Sequence, residues 1–187
     1  MSAKRKGRAL IMAGGTGGHV FPALAVAKVL RQRGWQVEWL GTQNGIEARV
    51  VPAENIPLHC ITAVGLRGKN VKKLLVAPWQ LLRAQWQSWR VLRRFRPDVV
   101  LGMGGFASGP GGLAARWLRI PLVVHEQNAV AGTTNRILSR HAKKILFAFP
   151  NVFPQGELVG NPVRDDIAAL AFVPKKIALP PVRLRFL

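Results

Sequence analysis

Apolar positions along this chain fall into short continuous runs, and helix-spaced stripes separate them. Ala9–Met12 is apolar throughout and ends against glycines, which predicts a buried strand. The apolar positions from Val20 to Leu30 recur at helical spacing. They predict a helix over Pro22–Gln32, with Gly34 as its stop. Gln36–Leu40 alternates as a strand, Gly45–Ala53 fits a short helix, and Leu58–Ala63 fits another strand. A long basic segment, Val71–Phe95, reads as helix. Pro97–Gly102 is then a strand of the unbroken apolar kind that a sheet covered on both faces requires. Gly112–Leu118 (helix), Ile120–Val124 (strand), Asn135–His141 (helix) and Lys144–Phe147 (strand) continue the alternation. This rhythm predicts an α/β fold, a doubly wound parallel sheet of Rossmann-like type. No internal repeat or low-complexity tract is present. The pattern weakens after Arg164, and residues 179–187 resemble one further strand.

Composition narrows the picture. The chain has 187 residues, 49% of them hydrophobic, enough for one well-packed domain and the start of another. Its 28 Lys and Arg against 8 Asp and Glu give a formal charge of +20, spread along the chain without forming a tail. Such a field favours nucleic acid, an anionic membrane surface or diphosphate ligands. Cys60 stands alone, which excludes an internal disulfide framework and a cysteine zinc cluster and fits a reducing compartment. The basic N-terminus is followed by too short an apolar run for a signal peptide. No stretch reaches the ~18 apolar residues of a membrane span. A cytosolic protein is expected, with any membrane contact peripheral.

The chemistry lies in two glycine turns. Met12-Ala-Gly-Gly-Thr-Gly-Gly-His19 joins the first strand to the first helix, and Met103-Gly-Gly-Phe-Ala-Ser-Gly-Pro-Gly-Gly112 follows the strand ending near Leu101. Unhindered backbone N–H groups at a helix N-terminus make an anion site, and ligands of open α/β sheets bind outside the strands' carboxyl ends. Two such turns facing one cleft suit a diphosphate. The plainer alternative is that the glycines merely mark tight turns. A nicotinamide site is disfavoured, because the G-x-G-x-x-G spacing fails and Leu40-Gly41-Thr42 offers no acidic residue for a ribose. A P-loop is disfavoured too, since no Gly-Lys-Ser/Thr opens either helix.

Four motifs occur in order: Gly14-Gly-Thr-Gly-Gly-His-Val-Phe-Pro22, Gly102-Met-Gly-Gly-Phe-Ala-Ser-Gly-Pro110, His125-Glu-Gln-Asn128 and Gly160-Asn-Pro-Val-Arg164. Together they resemble the N-terminal domain of the MurG family of peptidoglycan glycosyltransferases over residues 8–166. The resemblance implies a GT-B fold, two Rossmann-like domains facing across a cleft. It implies transfer of GlcNAc from UDP-GlcNAc to lipid I (undecaprenyl-pyrophosphoryl-MurNAc-pentapeptide), giving lipid II, at the cytoplasmic face of the cell membrane. No cofactor is implied, and no carboxylate pair or Asp-x-Asp suggests a metal, in keeping with an inverting, metal-independent transferase. His19 matches the family's loop histidine, a candidate general base. Thr16, Gly17 and Gly18 match its donor-contacting loop, and Gly104, Gly105 and Ser108 would meet the lipid-linked pyrophosphate. Ser108 is equally well read as a helix cap. Asn128 matches a donor contact, Glu126 an acceptor-orienting or catalytic position, and His125 is an alternative base. Arg164 matches a UDP-GlcNAc-binding arginine. By the same resemblance, residues 167–187 would be a truncated crossover and the start of a missing C-terminal domain, leaving the chain inactive alone.

Within Val71–Arg96, Leu75, Trp79, Leu82, Trp86 and Trp89 form one stripe roughly 80° wide at 100° per residue. Lys72, Arg83, Arg90 and Arg94 flank it, Arg116 and Trp117 extend it, and Pro78 kinks the helix or marks its effective start. Tryptophans beside arginines suit the headgroup boundary of an anionic inner leaflet. Core packing against the sheet is the competing reading. For the whole chain, the competing class is a non-catalytic module or remnant that binds lipid pyrophosphate or the membrane surface. A nucleic-acid partner is not expected, because no reader motif is present.

Overall fold

The computed structural model describes residues 7–62 and 71–163, side-chain placement at 71–76 excepted. Arg164, the expected boundary at 166/167 and the expected strand at 179–187 lie outside the described residues. The elements are β1 (Arg8–Met12), α1 (Gly17–Gln32), β2 (Gln36–Gly41), α2 (Glu47–Ala53), β3 (Leu58–Cys60), α3 (Val71–Phe95), β4 (Val99–Gly102), α4 (Ser108–Trp117), β5 (Leu122–Glu126), α5 (Thr133–Ser139), β6 (Lys144–Phe147) and β7 (Glu157–Leu158). Among the described residues the strands form one seven-stranded sheet in the order β3-β2-β1-β4-β5-β6-β7, with every pairing parallel. Strand order reverses beside β1, which makes the crevice between β1 and β4 the topological switch point. The doubly wound architecture expected from the pattern is the one observed.

Alternation along β1 divides the core between two faces. Leu10 and Met12 pack with Leu92 and Phe95 of α3, Ala114 and Ala115 of α4, and Leu138 of α5. Ile11 and Ala13 pack on the other face with Val20, Ala23 and Ala27 of α1, Val51 of α2, and Trp39.

Three helices start earlier than the sequence suggests, α5 by two residues, at Thr133 in place of Asn135, and α1 and α4 by more. α1 begins at Gly17, and Pro22 lies inside it, buried. α4 begins at Ser108 and takes in Gly109, Pro110, Gly111 and Gly112. Glycines near a helix start read as breakers, but packing decides otherwise here. A Cβ on Gly111 would lie 2.7 Å from Leu40 Cδ2, and one on Gly112 would lie 2.9 Å from Leu138 Cδ1. The glycines let α4 sit close against the sheet and α5. β3 is shorter than the expected Leu58–Ala63, and β7, two residues long, had no pattern to reveal it.

Candidate functional site

Both glycine turns lie at the carboxyl ends of β1 and β4, neighbours at the switch point, and they touch. Met103 N–H donates to the Met12 carbonyl at 2.9 Å. Gly105 adopts φ +85°, and a Cβ there would lie 2.8 Å from Gly14 backbone atoms. The two loops therefore meet backbone against backbone, which only glycine permits. Gly104 (φ +99°) is covered by the His19 ring; a Cβ would come within 2.8 Å of its Cε1 and Nδ1.

Ser108 is fully buried, and its hydroxyl lies 2.8 Å from the Met12 carbonyl and 2.7 Å from the Gly104 carbonyl. That hydroxyl ties one loop to the other. It does not cap α4. Thr16 is the exposed N-cap residue of α1, and its side chain makes no capping bond; its carbonyl accepts from His19 N–H and Val20 N–H. The N-terminal turn holding Gly17 and Gly18 is thus left without a side-chain cap, as an anion-binding helix end requires.

The motif after β5 supplies the third wall. Glu126 has no exposed surface, and its carboxylate accepts four hydrogen bonds: Asn128 N–H (3.0 Å), Asn128 Nδ2 (2.9 Å), Gly132 N–H (3.0 Å) and Asn135 Nδ2 (3.0 Å). A carboxylate so enclosed braces the β5–α5 loop and has no free face for proton transfer. This differs from the catalytic position expected for Glu126. Asn128 is exposed at the lip of the loop, tethered through that carboxylate. His125 is buried, its Nε2 3.1 Å from the Gly160 carbonyl and its Nδ1 3.4 Å from Gln127 Oε1. Gln127, also buried, donates from Nε2 to the Met103 carbonyl at 2.7 Å and contacts Nδ1 of His19 with the same amide nitrogen. Of the three residues proposed from sequence for proton transfer, His19 is the one that is half-buried, and among the described residues its side chain is held through Nδ1.

A second buried carboxylate was not foreseen. Glu47, at the start of α2, has no exposed surface. It accepts from Gly15 N–H (3.0 Å), Thr42 N–H (2.9 Å) and Thr42 Oγ1 (2.7 Å). Cβ atoms on Gly14 or Gly41 would each press into it, at 2.9 Å from Cδ and 2.7 Å from Cγ. Glycines in separate segments make this niche, so no local motif could announce it. The Gly15 N–H is spent on this carboxylate and is unavailable to a ligand. Burial, and after it the Glu47 charge, pushes the nearby Cys60 thiol up from its ordinary pKa. Among the described residues no group of three or more His, Cys, Asp or Glu is placed to hold a metal ion.

The tryptophan stripe lies apart from this site, on α3. Trp79 is 72% exposed, Leu82 64%, Trp86 56% and, on α4, Trp117 66%. Arg90 stacks over Trp86 at 5.5 Å and Arg93 over Trp89 at 5.0 Å. Trp79, Leu82, Arg83 and Trp86 line an apolar depression of about 250 Å³. The side of α3 facing the sheet carries Ala77, Ala84, Ser88, Leu92 and Phe95, roughly opposite the stripe at 100° per residue. Core packing is therefore ruled out for Trp79, Leu82 and Trp86. The Leu75 and Lys72 side chains lie outside the described residues. No helix of the described residues is long and apolar enough to cross a membrane.

A parallel sheet with two apposed glycine loops at its switch point is the architecture of a Rossmann-like ligand-binding domain, the class to which GT-B glycosyltransferase halves belong. Residues 9–147 match the glycosyltransferase family 28 N-terminal domain, and the chain belongs to that family. Within it, the chain is 58% identical over 177 residues to the UDP-N-acetylglucosamine–N-acetylmuramyl-(pentapeptide) pyrophosphoryl-undecaprenol N-acetylglucosamine transferase of Chromohalobacter salexigens, covering 94% of this chain and 49% of that protein. It is 62% identical over 160 residues to the enzyme of the same name from Alkalilimnicola ehrlichii, covering 84% and 45%. The crystal structure of Acinetobacter baumannii MurG superposes with a TM-score of 0.76 at 50% identity, over 86% of this chain and 47% of that one. The Streptomyces glycosyltransferase SsfS6, 19% identical, shares the fold with a TM-score of 0.58, over 81% of this chain and 53% of that one. The chain spans about half the length of the curated relatives it matches.

Proposed function

We propose that this domain is the acceptor-binding half of a transferase that moves GlcNAc from UDP-GlcNAc to lipid I, giving lipid II, as its relatives' names describe. One observation carries the reading most directly: the loops after β1 and β4 are locked together, with uncapped helix N-termini and His19 above them. Fixed N–H dipoles at such a site stabilise a pyrophosphate and the charge that develops on a leaving UDP. The acceptor hydroxyl forms the new bond at the anomeric carbon as the C–O bond to UDP breaks; the electron pair of that C–O bond departs on the diphosphate, and the hydroxyl proton passes to a diphosphate oxygen of the leaving UDP or to water. Thr16, Gly17, Gly18, Gly104, Gly105 and Asn128 would contact the two substrates. Ser108 and Glu126 would hold the loops that do so, and Arg164 would reach the UDP-GlcNAc. The exposed face of Trp79, Leu82 and Trp86, with Leu75 on the same helix, would rest on the anionic inner leaflet where the lipid-linked acceptor resides.

Titration of a lipid I analogue and of UDP-GlcNAc into the purified chain tests this. The analogue should bind the more tightly. Gly105→Val should abolish that binding, because a β-branched side chain at φ +85° drives the second loop off the first. Unchanged binding by folded Gly105→Val protein would sink the assignment of the site.

A further inference from the structure

The hydrogen bonds around Gln127 fix more than the position of His19. A backbone carbonyl only accepts, so the 2.7 Å contact with the Met103 carbonyl requires the Gln127 amide to place its NH2 there, with Oε1 turned away toward His125. That same NH2 meets Nδ1 of His19. It has two hydrogens and no lone pair to accept with, so Nδ1 must be the acceptor. In a neutral imidazole the proton then sits on Nε2.

We propose that Gln127 is a positioning residue that holds His19 in the Nε2–H tautomer, so that the first glycine loop presents a hydrogen-bond donor, not a base, to the oxygens of a diphosphate. The geometric half of this stands on the contacts alone; the diphosphate half rests on the function proposed above. For His19 to accept a proton at Nε2, its Nδ1 would have to carry the hydrogen, pointing at the NH2 of Gln127. Turning the amide over would relieve that conflict but set Oε1 against the Met103 carbonyl, acceptor against acceptor. Either way a buried hydrogen bond is lost. Among the described residues His19 is held through Nδ1, and its ring lies over Gly104 in the second loop. A donor at Nε2 reaches the same space as the N-terminus of α1. This role replaces the general-base role expected for His19.

The test is the nitrogen spectrum of the imidazoles in the 15N-labelled 187-residue chain at about pH 8, where ordinary histidine (pKa ~6.5) is neutral. Long-range proton–nitrogen correlations distinguish the two tautomers. His19 should be Nε2–H in the unmodified chain. It should switch to Nδ1–H in Gln127→Glu, whose carboxylate can only accept. Should Gln127→Glu fail to fold beside the Met103 carbonyl, Gln127→Met removes the amide without adding charge, and both tautomers should then appear. An Nδ1–H tautomer in the unmodified chain, or an unaltered tautomer in a folded variant, overturns the proposal. UDP-GlcNAc and a soluble prenyl pyrophosphate, added separately, should each move the Nε2–H signal without changing the tautomer if both diphosphates reach His19. A shift with one alone identifies the source. Should neither shift it while the tautomers behave as stated, the diphosphate assignment falls and the role of Gln127 stands.

Discussion

Two of the eight acidic residues of this strongly basic chain, Glu47 and Glu126, are buried behind the loops of the candidate site. Neither is placed to act on a substrate. Glu47 holds the turn at Gly15 to the end of β2 through Thr42, and Glu126 folds the β5–α5 loop around itself. Glu47→Gln replaces one acceptor oxygen with a donor facing another donor. It should destabilise the domain by about 1–3 kcal/mol, read as a drop in Tm. The same substitution removes a negative charge near Cys60. The thiol pKa, raised by burial and by that charge, should fall, so more thiolate is present near neutral pH and alkylation is faster. A Cys60 alkylation rate unchanged in folded Glu47→Gln would show that the carboxylate does not act on it.

At the scale of the element, α3 is amphipathic in an unusual sense, because both of its sides carry apolar residues. Small ones such as Ala77 and Ala84 face the sheet, while Trp79, Leu82 and Trp86 face outward beside Arg83 and Arg90. Tryptophan and arginine so arranged suit the region between headgroups and acyl chains. Sedimentation with vesicles containing anionic lipid should be lost in the Trp79→Glu, Trp86→Glu double variant and weakened by salt in the unmodified chain. Because both side chains are more than half exposed, the double variant should keep its Tm within a few degrees, and normal vesicle binding would assign membrane contact to another surface.

At the scale of the whole molecule, the proposed function makes the described domain one half of what transfer needs. Transfer needs the acceptor hydroxyl and the donor's anomeric carbon at near-attack distance, an orientation that can supply about 7–11 kcal/mol of the barrier. The relatives that share this domain are about twice the length of the chain. Lipid II formation should therefore be negligible for the 187-residue chain and appear when it is joined to the remaining half of such a relative. In that fusion His19→Ala should lower kcat by about 10²–10³-fold, the scale for loss of one preorganised donor. His19→Gln, whose amide NH2 reaches about where Nε2–H lies, should recover part of the loss. If glutamine proves as inactive as alanine, a donor at that position does not carry the effect, and the general-base reading of His19 is favoured.

The sequence by itself determined the class of fold and where the candidate glycine turns lie within it. Continuous apolar strands alternating with helices admit little besides a parallel sheet covered on both faces, and glycine turns after two of those strands must open at its carboxyl edge. His19, the two glycine loops and the run from His125 to Asn128 were legible for that reason. What each polar group does was not legible, since it depends on partners far away in the chain. Ser108 reads as a cap until Met12, 96 residues away, claims its hydroxyl. Glu126 reads as an acid or base until Asn135 and Gly132 close around it. Glu47 carried no signal, because its niche is assembled from Gly14, Gly41 and Gly45. The stripe on α3 had the same spacing whether it faced core or solvent, and only the packing of α3 against α4 and the sheet turned the tryptophans outward. Periodicity is set locally by backbone geometry, whereas burial and hydrogen-bond partnership are set by which segments the fold brings together.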